Sequence, residues 1–276
     1  MKPLIIGLPF DNGIRSMLAL GRGVIGASDG PKAIFDKLNN YNIKKIMFPL
    51  QEFNLNETEL QNDATLVAHN KIIKEINILS KEHLIIAVGG DHSLTYPLVK
   101  GIKNNSNKEF SLLYLDAHFD MRSIDDENII SSGNSFFRII EEKLTNNIVV
   151  LGINKSNTHS FNNQLDYANK NNVDITFIED TNEMILKQKL ESLPKPIYIS
   201  LDIDVLNEKY APGVSARNKL GLTEDQILNF IDIILKYDVV GIDIMETSSR
   251  NGDLDSLNQT ASLVARIIDK IVENKK

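Results

Sequence analysis

Ser111-Leu-Leu-Tyr-Leu-Asp-Ala-His-Phe-Asp120 joins an apolar run to three groups that can bind metal, Asp116, His118 and Asp120, at every second position. The apolar half predicts a buried strand, and alternate side chains of an extended chain point the same way. The two carboxylates and the imidazole are therefore expected to converge on one spot beyond the strand's end. Mixed oxygen and nitrogen donors suit a borderline divalent cation such as Mn²⁺, Zn²⁺ or Fe²⁺. Three ligands rarely complete a site, so further donors are expected at other strand ends.

Two other stretches supply them. Ile85-Ile-Ala-Val88 runs into Gly89-Gly-Asp-His-Ser93, and Ile197-Tyr-Ile-Ser-Leu201 runs into Asp202-Ile-Asp204. In an open α/β sheet ligands bind outside the carboxyl ends of the strands, so three strands ending this way can build one site together. The combined set is His92, Asp116, His118, Asp120, Asp202 and Asp204. It is too large for one tetrahedral ion and suits two bridged ones, whose charge the four carboxylates would balance. Without cations the same acids would repel one another strongly. Asp91, next to His92, should point elsewhere and cap the turn, while Gly89 and Gly90 suit a tight turn with close backbone approach.

GGDHS at 89–93, DAHFD at 116–120 and SLDIDVLN at 200–207, in that order and at those intervals, resemble the ureohydrolase superfamily of arginases, agmatinases and formimidoylglutamases. The likeness extends from Gly21-Arg-Gly-Val24 to Gly241-Ile-Asp-Ile-Met-Glu246 and Thr260-Ala261. It implies a three-layer α/β/α fold around a mainly parallel eight-stranded sheet, as in arginases and deacetylases. It also implies two Mn²⁺ ions per subunit, one held by His92, Asp116, Asp120 and Asp202, the other by Asp116, His118, Asp202 and Asp204. The reaction so implied is hydrolysis of a C–N bond in a linear amidine or guanidine by metal-activated water. Asp120 is then the proton carrier and Glu246 holds the cationic end of the substrate.

Arginases and agmatinases usually carry a further histidine in the loop after DAHxD. Here residues 121–138 contain none, and Ser132 or Phe136 takes its place, depending on how the loop is aligned. Formimidoylglutamases resemble this chain in DAHFD followed by a hydrophobic residue and Arg122, in the Ser132-Gly-Asn-Ser-Phe136 segment, and in Ala211-Pro-Gly-Val-Ser-Ala216. That likeness implies N-formimidoyl-L-glutamate as substrate, cleaved to L-glutamate and formamide in histidine degradation, with Arg122, Ser132 and Asn134 touching it. Two substrate carboxylates fit planar guanidinium forks, and Arg122, Arg138 and Arg217 stand in or beside cleft loops. Arg138 and Arg217 read as solvated surface charges, and Arg217 stands where the family commonly has a proline. An agmatinase, an arginase or another guanidino-acid hydrolase is the alternative. An inactive scaffold is a third, disfavoured by the complete ligand set.

The 276 residues carry a formal net charge of −7, which excludes the basic footprint of a nucleic-acid partner, and no cysteine, which excludes a disulfide framework or thiolate metal site. No run predicts a membrane span or a secretory apolar core, and the expectation is a cytoplasmic protein and, by analogy, a homo-oligomer. Strand-like runs at 4–8, 43–48, 84–88, 111–115, 148–151, 175–178, 197–201 and 239–244 alternate with helical patterns at 57–81, from about 94, from about 136, and at 161–170, 182–193, 224–236 and 257–272. Residues 12–30 read as a loop entering a helix at Pro31. This alternation predicts βαβ units in one domain, 1–276. His69 and His83 read as surface or helix-end histidines, and His159 as a structural loop residue.

Overall fold

The apolar runs become eight strands, β1 Lys2–Leu8, β2 Lys45–Met47, β3 His83–Gly89, β4 Ser111–Leu115, β5 Ile148–Ile153, β6 Asp174–Phe177, β7 Ile197–Asp202 and β8 Val239–Met245. The computed structural model describes all residues except 19, 40–43, 51–57, 106–108, 125–128, 157–159 and 276. The strand and helix starts expected at residues 43 and 57, and the reading of His159, fall outside the described residues. All strand pairs are parallel, in the order β2-β1-β3-β8-β7-β4-β5-β6.

The helices are α1 Asn12–Leu18, α2 Gly30–Phe35, α3 Thr58–Leu79, α4 Thr95–Asn105, α5 Ser135–Glu141, α6 Phe161–Lys170, α7 Glu183–Ser192, α8 Glu224–Ile234 and α9 Leu254–Asn274. Parallel strands covered on both faces read as continuous apolar runs, and β3, β4, β5 and β7 do so because two separate cores flank the sheet. One core packs Ile34 of α2, Leu186 of α7, Phe230 of α8 and Val264 of α9 against alternate strand residues such as Ile86 and Ile199. The other packs Ile72 of α3, Val99 of α4, Ile139 of α5 and Ala168 of α6 against their neighbours Ile85 and Tyr198. The chain therefore has the three-layer α/β/α architecture expected of it.

Sheet order explains where a site can form. The chain leaves β3 for β4 three positions along the sheet, builds outward to β6, and returns to fill the two-strand gap with β7 and β8. Such a reversal opens a crevice at the carboxyl ends of the central strands.

Residues 12–18 form a helix, not the expected loop. Its first amides are satisfied from afar, since Gly13 N and Ile14 N donate to the Asp91 carboxylate at 2.8 and 3.2 Å. A seven-residue helix containing glycine has little intrinsic stability, so this remote cap decides its form.

Candidate metal centre

Four adjacent strands, β3, β8, β7 and β4, end at one place and deliver the acids and histidines. After β3 the chain turns sharply at Gly89 and Gly90. A Cβ at Gly89 would lie 1.8 Å from Met245 Sδ, and one at Gly90 would lie 1.7 Å from the Phe10 carbonyl oxygen. Only glycine lets this turn sink between β1 and β8, and His92 follows pointing into the crevice. Asp91 points away and caps, as expected. Besides the α1 amides it accepts from Ser93 N at 2.9 Å. Burial pushes its carboxyl up to about 7 against the pull of the Ser93 hydrogen bonds.

His92 Nδ1 lies 3.2 Å from Asp116 Oδ2, 3.0 Å from Asp120 Oδ2 and 3.1 Å from Asp202 Oδ2. His118 Nδ1 lies 3.0 Å from Asp204 Oδ2 and 3.6 Å from Asp116 Oδ1. One donor atom from each of His92, Asp116, Asp120 and Asp202 falls within 4.8 Å of all the others, and the same holds for Asp116, His118 and Asp204. Asp116 belongs to both groups. Asp202, expected in both, falls in the first group by this distance, and its other oxygen accepts from Asp204 N at 2.8 Å. Local backbone fixes these side chains, His118 N donating to Asp116 Oδ1 at 2.6 Å, and Asp120 and Glu246 have φ of 47° and 69°. Left-handed backbone at non-glycine residues is a strain that surrounding structure must hold, and it recurs at functional sites.

The donor set fits metal on the structure's own terms. Among the described residues, His92 Nδ1 and Asp116 Oδ2 are buried without a hydrogen-bond partner, although such orphans are uncommon in folded proteins. Burial alone would push the His92 imidazole down, but three carboxylates on one nitrogen outweigh it and hold it well above its ordinary range. His118 is likewise raised, by Asp204 and Asp116 against burial. Burial and then the charge of Asp120 raise Asp116, and burial and then the charge of Asp204 raise Asp202 well above the usual carboxylate range. The cluster draws positive charge, and divalent cations supply it in the form these donors ligate best.

Asp243 was not singled out by sequence. Ser200 Oγ donates to its Oδ1 and Tyr198 OH to its Oδ2, both at 2.7 Å, and Ser200 Oγ lies 3.0 Å from His92 Nε2. A hydroxyl that donates to a carboxylate accepts from the imidazole, so His92 carries a proton on Nε2 and leaves Nδ1 as the nitrogen that would ligate a cation held by the acids. The available signal was an acid in the middle of the apolar run Val239–Met245, which must find partners when buried.

A cavity of ≈ 160 Å³ opens onto the cluster, lined by His118, Asp120, Asp202, Asp204 and Glu246 together with Arg122, Ser132 and Ser215. Glu246 accepts from His92 N at 2.8 Å, and burial, then the nearby Asp91, pushes its carboxyl up to about 8. Arg122 crosses Gly133, where a Cβ would lie 1.7 Å from its Nη2, and reaches Met17 Sδ at 3.1 Å. Asn134 is fully buried and does not line this cavity. Its Oδ1 accepts from Ser131 N at 3.0 Å and its Nδ2 donates to the Ile129 carbonyl at 2.8 Å, so it shapes the loop where substrate contact was expected. Phe136 is also buried, stacked on Tyr114 at 3.8 Å and edge-on to His92 at 5.2 Å, which leaves Ser132 as the loop residue facing the cleft.

Two surface readings are corrected, those of His69 and Arg138, while that of Arg217 holds. His69 is buried, and Arg138 donates to its Nδ1 at 2.8 Å while lying 3.5 Å over the Tyr96 ring. A helical pattern assigns His69 to one face but not the partner that makes burial tolerable. Arg217 is exposed and ties to the Pro212 carbonyl at 2.8 Å, Ser256 Oγ at 3.1 Å and Asp253 at 3.3 Å.

Comparison with known proteins agrees with this geometry. The chain is 29% identical over 267 residues to the formimidoylglutamase of Macrococcus caseolyticus, covering 96% of this chain and 82% of that one. It is 29% identical over 204 residues to the mitochondrial arginase 1 of Arabidopsis thaliana, covering 73% of this chain but only 58% of that protein's length. Among solved structures, the formimidoylglutamase of Bacillus subtilis superposes with TM-score 0.81 at 22% identity over 99% of this chain and 87% of that one. A Trypanosoma cruzi formiminoglutamase solved with Mn²⁺ gives TM-score 0.80 at 18% identity over 99% and 93%. The Arginase family model matches residues 2–273 from end to end, and the chain belongs to the arginase family.

Proposed function

We propose that the protein is a binuclear metallohydrolase that cleaves a C–N bond of a linear amidine, with N-formimidoyl-L-glutamate and water giving L-glutamate and formamide. The observation that carries the hydrolase reading is the convergence of His92, Asp116, Asp120 and Asp202 beside Asp116, His118 and Asp204, with two buried donor atoms left unpaired. These residues would hold two divalent cations, Mn²⁺ first among them. When bound, the cations supply a water acidified enough to attack near neutral pH.

The chain's own groups do the rest. Glu246, anchored by His92 N at 2.8 Å, faces the cleft and pairs with the amidinium, orienting its planar carbon. Asp120, held in left-handed backbone at the cleft wall and partly accessible, takes the proton from the attacking water and passes it to the departing nitrogen. Arg122, in the same wall, is the cation that favours an acidic substrate over agmatine, whose distal end is itself cationic. Ser132 beside it offers a hydroxyl to the carboxylate it holds.

A guanidino-acid hydrolase is the second reading, since Glu246 would orient a guanidinium equally well. An assay panel of formimidoyl-glutamate, arginine, agmatine, guanidinobutyrate and guanidinopropionate, with Mn²⁺ and with chelator, separates the two. Turnover of formimidoyl-glutamate that chelator abolishes is the expected result. Activity on arginine alone overturns the substrate, and no metal-dependent activity on any of the five overturns the hydrolase.

A further inference from the structure

The Ala211-Pro-Gly-Val-Ser-Ala216 segment has no part in the chemistry above, yet it is joined to the loop that begins at Glu246. Val214 pairs antiparallel with Thr247, and Ser248 N donates to the Gly213 carbonyl at 2.8 Å. In an antiparallel pair, one step forward on one strand faces one step back on the other. Ser215 therefore stands opposite Glu246, and both residues line the acidic cleft.

Ser215 Oγ is buried and has no hydrogen-bond partner among the described residues, and a buried hydroxyl normally finds one. The hydroxyls of Ser135 and Thr247 are likewise unpaired, but neither residue lines the cleft. Val214 beside it is anchored in the apolar core. The backbone of both residues is held from behind, since Arg250 Nη1 donates to the Val214 carbonyl at 2.8 Å and to the Ser215 carbonyl at 2.7 Å. Arg250 does not itself line the cleft, and its guanidinium forms no salt bridge among the described residues. Burial, then the charge of Arg217, lowers its pKa. A part-buried charge placed on two carbonyls without a carboxylate is costly, and fixing residues 214 and 215 accounts for its presence.

We propose that the Ser215 hydroxyl is a substrate contact, accepting an N–H of the amidinium that Glu246 pairs with, and that Arg250 is the positioning residue that holds it there through the 214 and 215 carbonyls. An amidinium offers N–H groups on more than one edge, so a single carboxylate leaves donors over, and a hydroxyl opposite that carboxylate takes one of them. The unpaired Oγ then finds its partner in the substrate. The identity of this end as an amidinium rests on the hydrolase reading, whereas the juxtaposition of Ser215, Glu246 and Arg250 does not.

The test uses the Mn²⁺-loaded protein with Ser215→Ala, Arg250→Gln, Arg250→Lys and the Ser215→Ala/Arg250→Gln double variant. Affinity for acetamidinium, a probe of the cationic end alone, is read from the rise in melting temperature with its concentration, and kcat and KM are measured for formimidoyl-glutamate. Ser215→Ala should weaken acetamidinium and lower kcat/KM, each about tenfold, as expected for one hydrogen bond to a charged group, with bound metal and the ligand-free melting temperature unchanged. Arg250→Gln should act in the same direction and Arg250→Lys less. The double variant should fall below Ser215→Ala by no more than about twofold, because both replacements remove the same contact. Unchanged acetamidinium affinity and kcat/KM in Ser215→Ala overturn the contact, and single effects that multiply in the double variant overturn the role of Arg250. Ser215-dependent acetamidinium binding without turnover of any amidine keeps the contact and sinks the hydrolase. Turnover indifferent to Ser215 does the reverse.

Discussion

His92 and His69 are both buried and lie on either side of Ser93, yet their surroundings are opposite in kind. His69 has a partner on each nitrogen, Arg138 at 2.8 Å on Nδ1 and Ser93 Oγ at 3.4 Å on Nε2, and it sits among the Phe10 and Tyr96 rings. Burial, then the Arg138 charge, holds it well below the ordinary imidazole range. His92 is tethered through Nε2 alone, and its Nδ1 is aimed unpaired into three carboxylates. A satisfied buried histidine holds a fold together, and a half-satisfied one facing acids is kept for a cation.

Replacements should divide along that line. The largest expected effect is at Asp120. Asp120→Ala should lower kcat by about 10³-fold, within the usual range for a general acid–base group, while the melting temperature stays near that of the parent. An unchanged kcat removes Asp120 from the mechanism. His92→Ala should lose one of two bound ions and most activity, whereas His69→Ala should keep both ions and lose roughly 2–3 kcal/mol of stability, because Arg138 is left buried without its acceptor. Metal content and denaturant melts on the same two samples make this comparison, and metal loss in the His69 variant would erase the distinction. Asp243→Asn acts one step removed, through Ser200, and should weaken metal binding about 10–100-fold with little change in the melting temperature of the metal-free protein.

The smallest effect is a slope with pH. The His69 imidazole stays neutral in the fold while the unfolded chain takes a proton near the ordinary value of 6.5, so its titration leaves stability unchanged above that pH and lowers it progressively below. His69→Gln should therefore start less stable at pH 8 but lose less between pH 7 and 5 than the parent, by at most about 1.4 kcal/mol per pH unit. Parallel curves would show that His69 is not held neutral.

The sequence revealed the half of this contrast that obeys strand geometry. Asp116, His118 and Asp120 alternate beyond β4, and His92 and Asp202 also follow apolar runs, so period and position locate them before any fold is known. The other half depends on contacts between distant segments. The capping of α1 by Asp91 spans 78 residues, the His69–Arg138 bond spans 69, and the Asp243–Ser200 bond spans 43. No local pattern encodes such pairings, which is why residues 12–18 read as loop and His69 and Arg138 as surface. Asp243 could have been suspected from its place inside β8, since a buried carboxylate in an apolar strand needs donors.

Elemental analysis of the protein after Mn²⁺ loading and desalting, with the parent and His92→Ala side by side, decides whether the strand ends form a two-ion site. Two ions per chain in the parent and about one in the variant are the expected values. No retained metal in the parent, or two ions per chain in both proteins, would contradict it.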